Sequence, residues 1–215
     1  MAISSYKSFS KKKRIPKGSA KSLAITNYKT LSSIKKKLHS ETKYFHTGTS
    51  ISLDRTASIT TLCAPANGIT NEQRTGDQIT VKTLKINAVL GYQALNATVR
   101  IIVFRDKQNQ IGSQGDILYS SIPNIYTPIE FFAKDKAKRY TILVDKTVIV
   151  HTYDPLKHFR INIVGLNSPI VFDGTSVNIN SGALKIMVVS DTDLAAATPD
   201  KPIIKWTSEV TYTDS

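Results

Sequence analysis

The first chemistry that the sequence offers lies in a run of positive charge near its beginning. Residues 10–22 read SKKKRIPKGSAKS and hold six Lys or Arg side chains and no carboxylate. Side chains of this type and spacing bind phosphate oxygens through charge and hydrogen bonds, with little discrimination between bases. The run therefore favours contact with a polyanion such as nucleic acid.

The basic segment extends over residues 1–40, and the first acidic residue of the chain is Glu41. Its eleven basic residues are Lys7, Lys11, Lys12, Lys13, Arg14, Lys17, Lys21, Lys29, Lys35, Lys36 and Lys37. Residues 41–215 hold the other 18 of the 29 Lys and Arg against all 16 acids, so they carry only +2 of the net charge of +13. We predict a basic arm, residues 1–40, on a nearly neutral body, residues 41–215. Such arms commonly bind polyanions, and the alternative is a tail that only aids solubility.

Patterns typical of catalysis or metal binding are not found in the sequence. The histidines lie far apart, without the close pairs that place two imidazoles on one metal: His39, His46, His151 and His158. No GxSxG turn, Walker loop or GxGxxG motif occurs, and the single Cys63 excludes both an internal disulfide and a cysteine zinc cluster. The acidic turn at residues 190–193 fits a cation contact and an ordinary polar turn equally well. We predict that the protein is not an enzyme.

The body is patterned as β-strands. Short apolar, β-branched runs alternate with Gly, Pro, Asn and Asp clusters, and they predict strands at residues 57–64, 77–92, 98–106, 139–151, 159–166, 183–191 and 203–214. In residues 203–214 polar and apolar positions alternate, which indicates one packed and one wet face. Residues 99–104 are apolar on both faces, which predicts a strand in mid-sheet or against a neighbouring subunit. Strands without interleaved helices favour a sandwich, barrel or jelly roll.

The arm has a helix signal of its own in residues 27–40. Asn27 is a good N-cap, and an apolar stripe follows it at Tyr28, Leu31, Ile34 and Leu38. A basic amphipathic helix this short is expected to fold only against a partner helix, a membrane surface or nucleic acid. Residues 1–26 are predicted to be disordered. No apolar run reaches the roughly 20 residues of a membrane span.

Four segments in matching order resemble the coat-protein family of satellite tobacco necrosis virus and of circular Rep-encoding single-stranded DNA (CRESS-DNA) viruses. They are QRTGDQ (73–78), IVFRD (102–106), KRYTIL (138–143) and the terminal VTYTDS (210–215), and the resemblance extends from the SETKYF segment (40–45) onward. The resemblance covers most of the chain and is weakest between residues 152 and 200.

This resemblance implies an all-β protein with a single jelly roll of two four-stranded antiparallel sheets and a basic, partly helical N-terminal arm. It implies a viral capsid protein that assembles with itself into a small T=1 icosahedral shell of roughly 60 copies. The arm helices would cluster by threes beneath the threefold axes and bind a single-stranded DNA or RNA genome. The protein would then be found in the virion and in the host cytoplasm or nucleus.

The resemblance also implies calcium between subunits. Carried over by motif, the ligands are the carboxylate of Asp214 and the backbone carbonyls of Thr75 and Gln78, with Glu41 as a carboxylate at another site. Thr75 stands where the family has Ser, which a backbone ligand tolerates. The residues leave other interpretations open: Asp214 caps the last strand or pairs with a Lys or Arg, and the 74–78 segment is a turn from which Arg74 reaches an acid on the next subunit.

The KKKR segment offers one more partner. Lys11, Lys12, Lys13 and Arg14 match the short basic pattern that nuclear import receptors bind. A function of another class also fits the patterns: a non-viral jelly-roll binding module, such as a lectin or a cytokine-like trimer, with a polyanion-binding tail. That module would be a monomer or trimer with an aromatic-lined groove and would form no shell.

Overall fold

The computed structural model describes residues 20–38, 41–92, 96–120, 125–193, 195–196 and 200–214. The chain divides into two units, Met1–Ser40 and Glu41–Ser215. In the described part of the first unit lies the helix α1, Ala20–Leu38. No helix among the described residues has the length and apolar character needed to cross a bilayer.

The helix α1 begins seven residues earlier than predicted, so the predicted disorder of residues 1–26 is wrong for residues 20–26. Asn27 therefore lies inside the helix and is not its cap. The early residues include alanine and leucine, which favour helix. The hydroxyls of Thr26 and Thr30 donate to carbonyls four residues earlier, each at 2.9 Å. Their hydrogen bonds are thus made within the helix, and they do not support a competing turn. The side chains of Leu23, Tyr28 and Leu31 are exposed.

The described part of the second unit is built from nine strands. They are β1 (Thr42–Ser52), β2 (Ser58–Thr61), β3 (Gln78–Gly91), β4 (Ala97–Asp106), β5 (Tyr140–Val150), β6 (Leu156–Phe172), β7 (Ile179–Ser181), β8 (Ala183–Ser190) and β9 (Ile203–Asp214). One sheet has the order β1-β9-β3-β6-β7 and the other β2-β8-β4-β5. Neighbouring strands are antiparallel throughout.

This strand order is a jelly roll. The first and last long strands are neighbours, and the chain crosses between the two sheets at most connections, as in double Greek-key sandwiches. The predicted all-β, single jelly-roll class is confirmed. The larger sheet has five strands and not four, because the three-residue β7 pairs with the end of β6. Neither β7 nor β1 is among the predicted strands, since β1 is rich in Thr and Ser and has Gly48 at its centre.

The core lies between the two sheets and on the far side of the smaller one. Strand β8 is buried along its whole length and β4 along most of its length. Their second face packs against residues of the long β4–β5 connection, such as Ile111, Ile117 and Leu118. Residues 99–104 are thus in mid-sheet, as predicted, and their other face is covered by the same chain.

Candidate functional site

The basic residues of the arm fall partly outside the described chain. Lys7, Lys17 and the 11–14 segment lie there, so the predicted import signal and most of the predicted nucleic-acid contacts stay predictions. Five further basic residues belong to α1: Lys21, Lys29, Lys35, Lys36 and Lys37. The side chain of Lys29 is exposed to solvent, so its charge is accessible to a ligand.

Asp214 lies where the end of β9 meets the start of β1 and the segment before β3. Lys43 pairs in register with Tyr212, and Ile79 pairs with Asp214. The Lys43 Nζ is 2.8 Å from Asp214 Oδ2, and it also donates to the Gln73 carbonyl at 2.9 Å. The Lys43 side chain is 3% exposed and that of Asp214 is 23% exposed, so the lysine of this ion pair is shielded from water and the carboxylate is partly exposed.

Thr75 completes the site. Its hydroxyl donates to Asp214 Oδ2 at 2.6 Å and its backbone N–H donates at 3.3 Å. Burial raises the pKa of the Asp214 carboxyl, but the hydrogen bonds and charge of Lys43 and the hydrogen bonds of Thr75 outweigh it. The net result is a pKa below the ordinary value for aspartate. The carboxylate is therefore held in its charged form.

The predicted calcium ligands are only partly brought together. Thr75 contacts Asp214 through its hydroxyl and N–H, Gln78 begins β3 opposite Val171, and Glu41 is an exposed residue just before β1. Among the described residues no group of three His, Cys, Asp or Glu side chains is arranged to hold a metal. Of the interpretations left open, pairing of Asp214 with a lysine is the one observed, and calcium binding stays a prediction.

Arg74 is a clamp inside its own chain, and the idea that it reaches an acid on a neighbouring subunit is wrong. Its side chain is 0% exposed. The guanidinium donates to the carbonyls of Gly76, Gly174 and Ser176. It also stacks on Phe172, with the guanidinium carbon 4.1 Å from the ring centroid. The Arg74 side chain points into its own chain, and its hydrogen bonds link the segment before β3 to the turn after β6.

Of the histidines, His46 and His158 are exposed on the larger sheet, and His39 lies outside the described residues. His46 lies 3.5 Å from Glu72 and 3.4 Å from Glu209, while His158 projects from β6. In the 190–193 turn, Asp191 accepts the N–H of Thr98 at 3.0 Å, as expected for a polar turn. Burial raises the pKa of the Cys63 thiol, so this cysteine is kept in its unreactive form.

The ion pair at Asp214 predicts a pH-dependent contribution to stability. Asp214→Asn is expected to lower the free energy of unfolding by about 1–3 kcal/mol at neutral pH, because Lys43 is left buried without its counter-charge. Since the folded-state pKa is depressed, the contribution is present above the unfolded value of about 3.9 and is lost as pH falls through the lower folded value. The difference between wild type and variant should therefore shrink in acid, as measured by urea unfolding across pH.

Asp173→Asn removes an exposed carboxylate and serves as the matched control. A calcium site makes a different prediction for Asp214→Asn, namely a loss of particle stability only when calcium is present. An effect that is equal with calcium and with chelator would exclude a role of calcium at this carboxylate. No effect of the variant at any pH would contradict the ion pair.

The sequence patterns missed the outward face of the larger sheet. There β9, β3 and β6 bring Lys205, Lys85 and Arg160 onto one surface. Alternation in residues 203–214 predicts that Lys205 faces water, but it does not say which strands lie beside it. Only the register of the sheet assembles this basic surface.

Comparisons with known proteins give low-identity structural similarity only. No family model and no curated protein matches the chain. A similar solved structure is that of Desmodium yellow mottle tymovirus, with 10% identity, 81% of this chain and 87% of that chain covered, and a TM-score of 0.41. A 60-mer BFDV capsid protein is similar at 7% identity, with 80% and 91% covered and a TM-score of 0.34.

A third similar structure belongs to the disulfide-linked pili of Bacillus endospore appendages, at 10% identity, with 82% and 94% covered and a TM-score of 0.29. The structural neighbours of this chain thus include viral capsid proteins. At these TM-scores the likenesses do not identify a family. The jelly-roll assignment is taken from the strand order of the chain itself.

Proposed function

We propose that the protein is a viral capsid protein, a structural protein and not an enzyme. Residues 41–215 form the shell domain, and residues 1–40 form an arm that packages a single-stranded genome inside a T=1 shell. The observation that carries the proposal is the joining of a jelly-roll body of nearly neutral charge to an arm with eleven basic residues and no acid. Charge separated in this way lets the bodies pack while the arms neutralise phosphate.

The amount of charge supports this division of labour. A T=1 shell with eleven basic residues in each arm would hold about 660 positive charges, on the scale of the phosphates of a genome of about a thousand nucleotides. Contacts of this kind involve phosphate and carry no base specificity. The arm helices contribute an exposed apolar strip at Leu23, Tyr28 and Leu31 that sister helices would cover.

The body also carries apolar side chains that self-assembly would bury. Ile69, Ile129, Phe131 and Tyr153 are each more than four-fifths exposed. Large exposed apolar side chains commonly mark contact surfaces between proteins. They support a body that packs against further copies of itself and is not a monomeric binding module. Calcium at Asp214, nuclear import through residues 11–14 and residence in the virion, host cytoplasm or nucleus belong to the same proposal.

Neutralising the arm is expected to abolish packaging. In the full chain, replacing all eleven basic residues of the arm with Gln removes the phosphate contacts but leaves the jelly roll unchanged. Particles or free subunits of this variant should carry no nucleic acid, as judged by sedimentation, negative-stain imaging and the ratio of absorbance at 260 and 280 nm.

A variant with the ten arm lysines changed to Arg keeps the charge and is the matched control; it should package as wild type does. Retained packaging by the Gln variant would remove the arm from the mechanism. A wild-type chain that stays a monomer or trimer without nucleic acid would overturn the capsid proposal and favour a jelly-roll binding module.

A further inference from the structure

The outward face of the larger sheet places polar and basic side chains in adjacent rows. Thr207 of β9, Asn87 of β3 and Arg160 of β6 lie side by side in register. In the next row Lys205, Val89 and His158 do the same. Strand β1 extends these rows with Gly48 and Ser50. Four long strands thus build one continuous surface.

Positive charge on this surface exceeds negative charge. Its outward register positions carry Lys85, Lys205 and Arg160 against a single carboxylate, Glu209. That carboxylate is already engaged by Lys85 at 2.8 Å. Lys205 and Arg160 are exposed and have no carboxylate partner among the described residues. Two cations are therefore available to an anionic ligand.

The same surface carries a wide, open depression. A depression of about 740 Å³ lies across the rows and is lined by Gly48, Asn87, His158, Arg160, Lys205 and Thr207, among others. Gly48 keeps it open, because a side chain there would fill the space, and its Cβ would come within 2.9 Å of the Trp206 carbonyl. Asn87 Oδ1 accepts a hydrogen bond from Arg160 Nε at 2.8 Å, which orients the guanidinium beside the depression.

We infer that this depression is a second binding surface for single-stranded nucleic acid. Lys205 and Arg160 contact phosphates, while Asn87, Thr207 and Ser50 offer neutral donors and acceptors to sugar and base edges. The inference rests on the proposed function, because it names a further contact for the same genome. Charge complementarity carries it: an open depression that is apolar over most of its lining and is bordered by two cations without carboxylate partners suits a flexible polyanion.

A nucleic acid that is held by the arm has a raised effective concentration at a second site on the same chain. Weak contacts in the groove then add to the overall affinity without needing to be strong alone. The groove should therefore contribute a definable share of the phosphate contacts. Its contribution should be separable from that of the arm by substitution.

The test compares two double variants of the full, unassembled chain. Lys205→Gln with Arg160→Gln removes the groove cations, and Lys134→Gln with Lys138→Gln removes two exposed cations from the β4–β5 connection as the matched control. Binding of a single-stranded oligothymidylate is followed by fluorescence anisotropy over a range of salt. The affinity of the wild-type chain should fall steeply with salt. The groove variant should make the slope of log affinity against log salt less negative by about 1.4, since each phosphate contact contributes about 0.7. The control should leave the slope unchanged.

Chemical acetylation with mass spectrometry gives a readout for each lysine. The oligothymidylate should protect Lys205 in the wild-type chain and leave Lys138 reactive. An unchanged slope together with an unprotected Lys205 would overturn the groove while leaving the arm proposal intact. Protection of Lys205 by a heparin oligosaccharide but not by the oligonucleotide would overturn it as well. A wild-type chain that binds no oligonucleotide at all would overturn the proposed function along with the groove.

Discussion

Replacing Arg74 with alanine is expected to lower the free energy of unfolding of the jelly roll by about 3–5 kcal/mol. The guanidinium is fully buried and donates to three backbone carbonyls, including those of Gly174 at 2.7 Å and Ser176 at 2.5 Å. Its removal leaves these acceptors without a donor and opens a void beside Phe172, over which the guanidinium stacks. Urea unfolding of the full chain, followed by tryptophan fluorescence, measures the loss.

Arg139→Ala is the matched control for this variant. The Arg139 side chain is about half exposed, and its nearest contact with Asp116 is long, at 3.9 Å. Its removal should therefore lower the free energy of unfolding by less than about 1 kcal/mol. Arg74→Lys keeps the charge, but its donors all sit on one nitrogen and cannot reproduce the planar fork by which two guanidinium nitrogens reach three carbonyls, so it should retain only part of the stability. Equal effects of Arg74→Ala and Arg139→Ala would show that the clamp contributes nothing beyond a surface contact.

A second large effect is expected at the buried pair of Asp106 and Lys185. Lys185 Nζ is 2.9 Å from Asp106 Oδ2 and donates to the Ile111 carbonyl at 2.9 Å. The Asp106 carboxylate also accepts the N–H of Ile111 at 2.8 Å, so it organises the start of the long connection after β4. Asp106→Ala should lower the free energy of unfolding by about 3–5 kcal/mol, because it leaves Lys185 buried and unpaired.

The double variant Asp106→Leu with Lys185→Met separates charge burial from packing. Apolar replacement of both partners removes the unpaired charge, so the double variant should be more stable than either single change. Thermal unfolding of the three variants beside wild type provides the comparison. A double variant that loses as much as the sum of its single changes would show that the pair acts only through separate contacts with the loop.

Sequence patterns determine the local structure around Arg74 and Asp106 but not the partners of their side chains. Glycine and arginine in the 73–78 segment predict a turn before a strand, which is what the chain forms. The direction of Arg74 depends on carbonyls about 100 residues later, and no local pattern reports such a distance. The same is true of Asp106 and Lys185, which lie on neighbouring strands far apart in the chain.

Local patterning did predict the β class, seven of the nine strands among the described residues and a helix in the arm. These features depend on side chains two to four positions apart, where burial of one face selects the periodicity. It failed for β1, whose Thr, Ser and Gly48 give little apolar signal, and which forms because its backbone pairs with the apolar-faced β9. It also placed the start of α1 at Asn27, because asparagine favours the cap position over the helix interior, although here it lies inside the helix.

The sequence by itself thus determined the separation of charge between arm and body and the tendency of the body to form strands, because composition and periodicity are local properties. Only the tertiary structure decided that Lys43 pairs with Asp214 and that Arg74 turns inward. It also decided that Lys205 and Arg160 border one groove. The physical reason is that an antiparallel sheet brings distant segments side by side, and its register, not their order in the chain, sets which side chains meet.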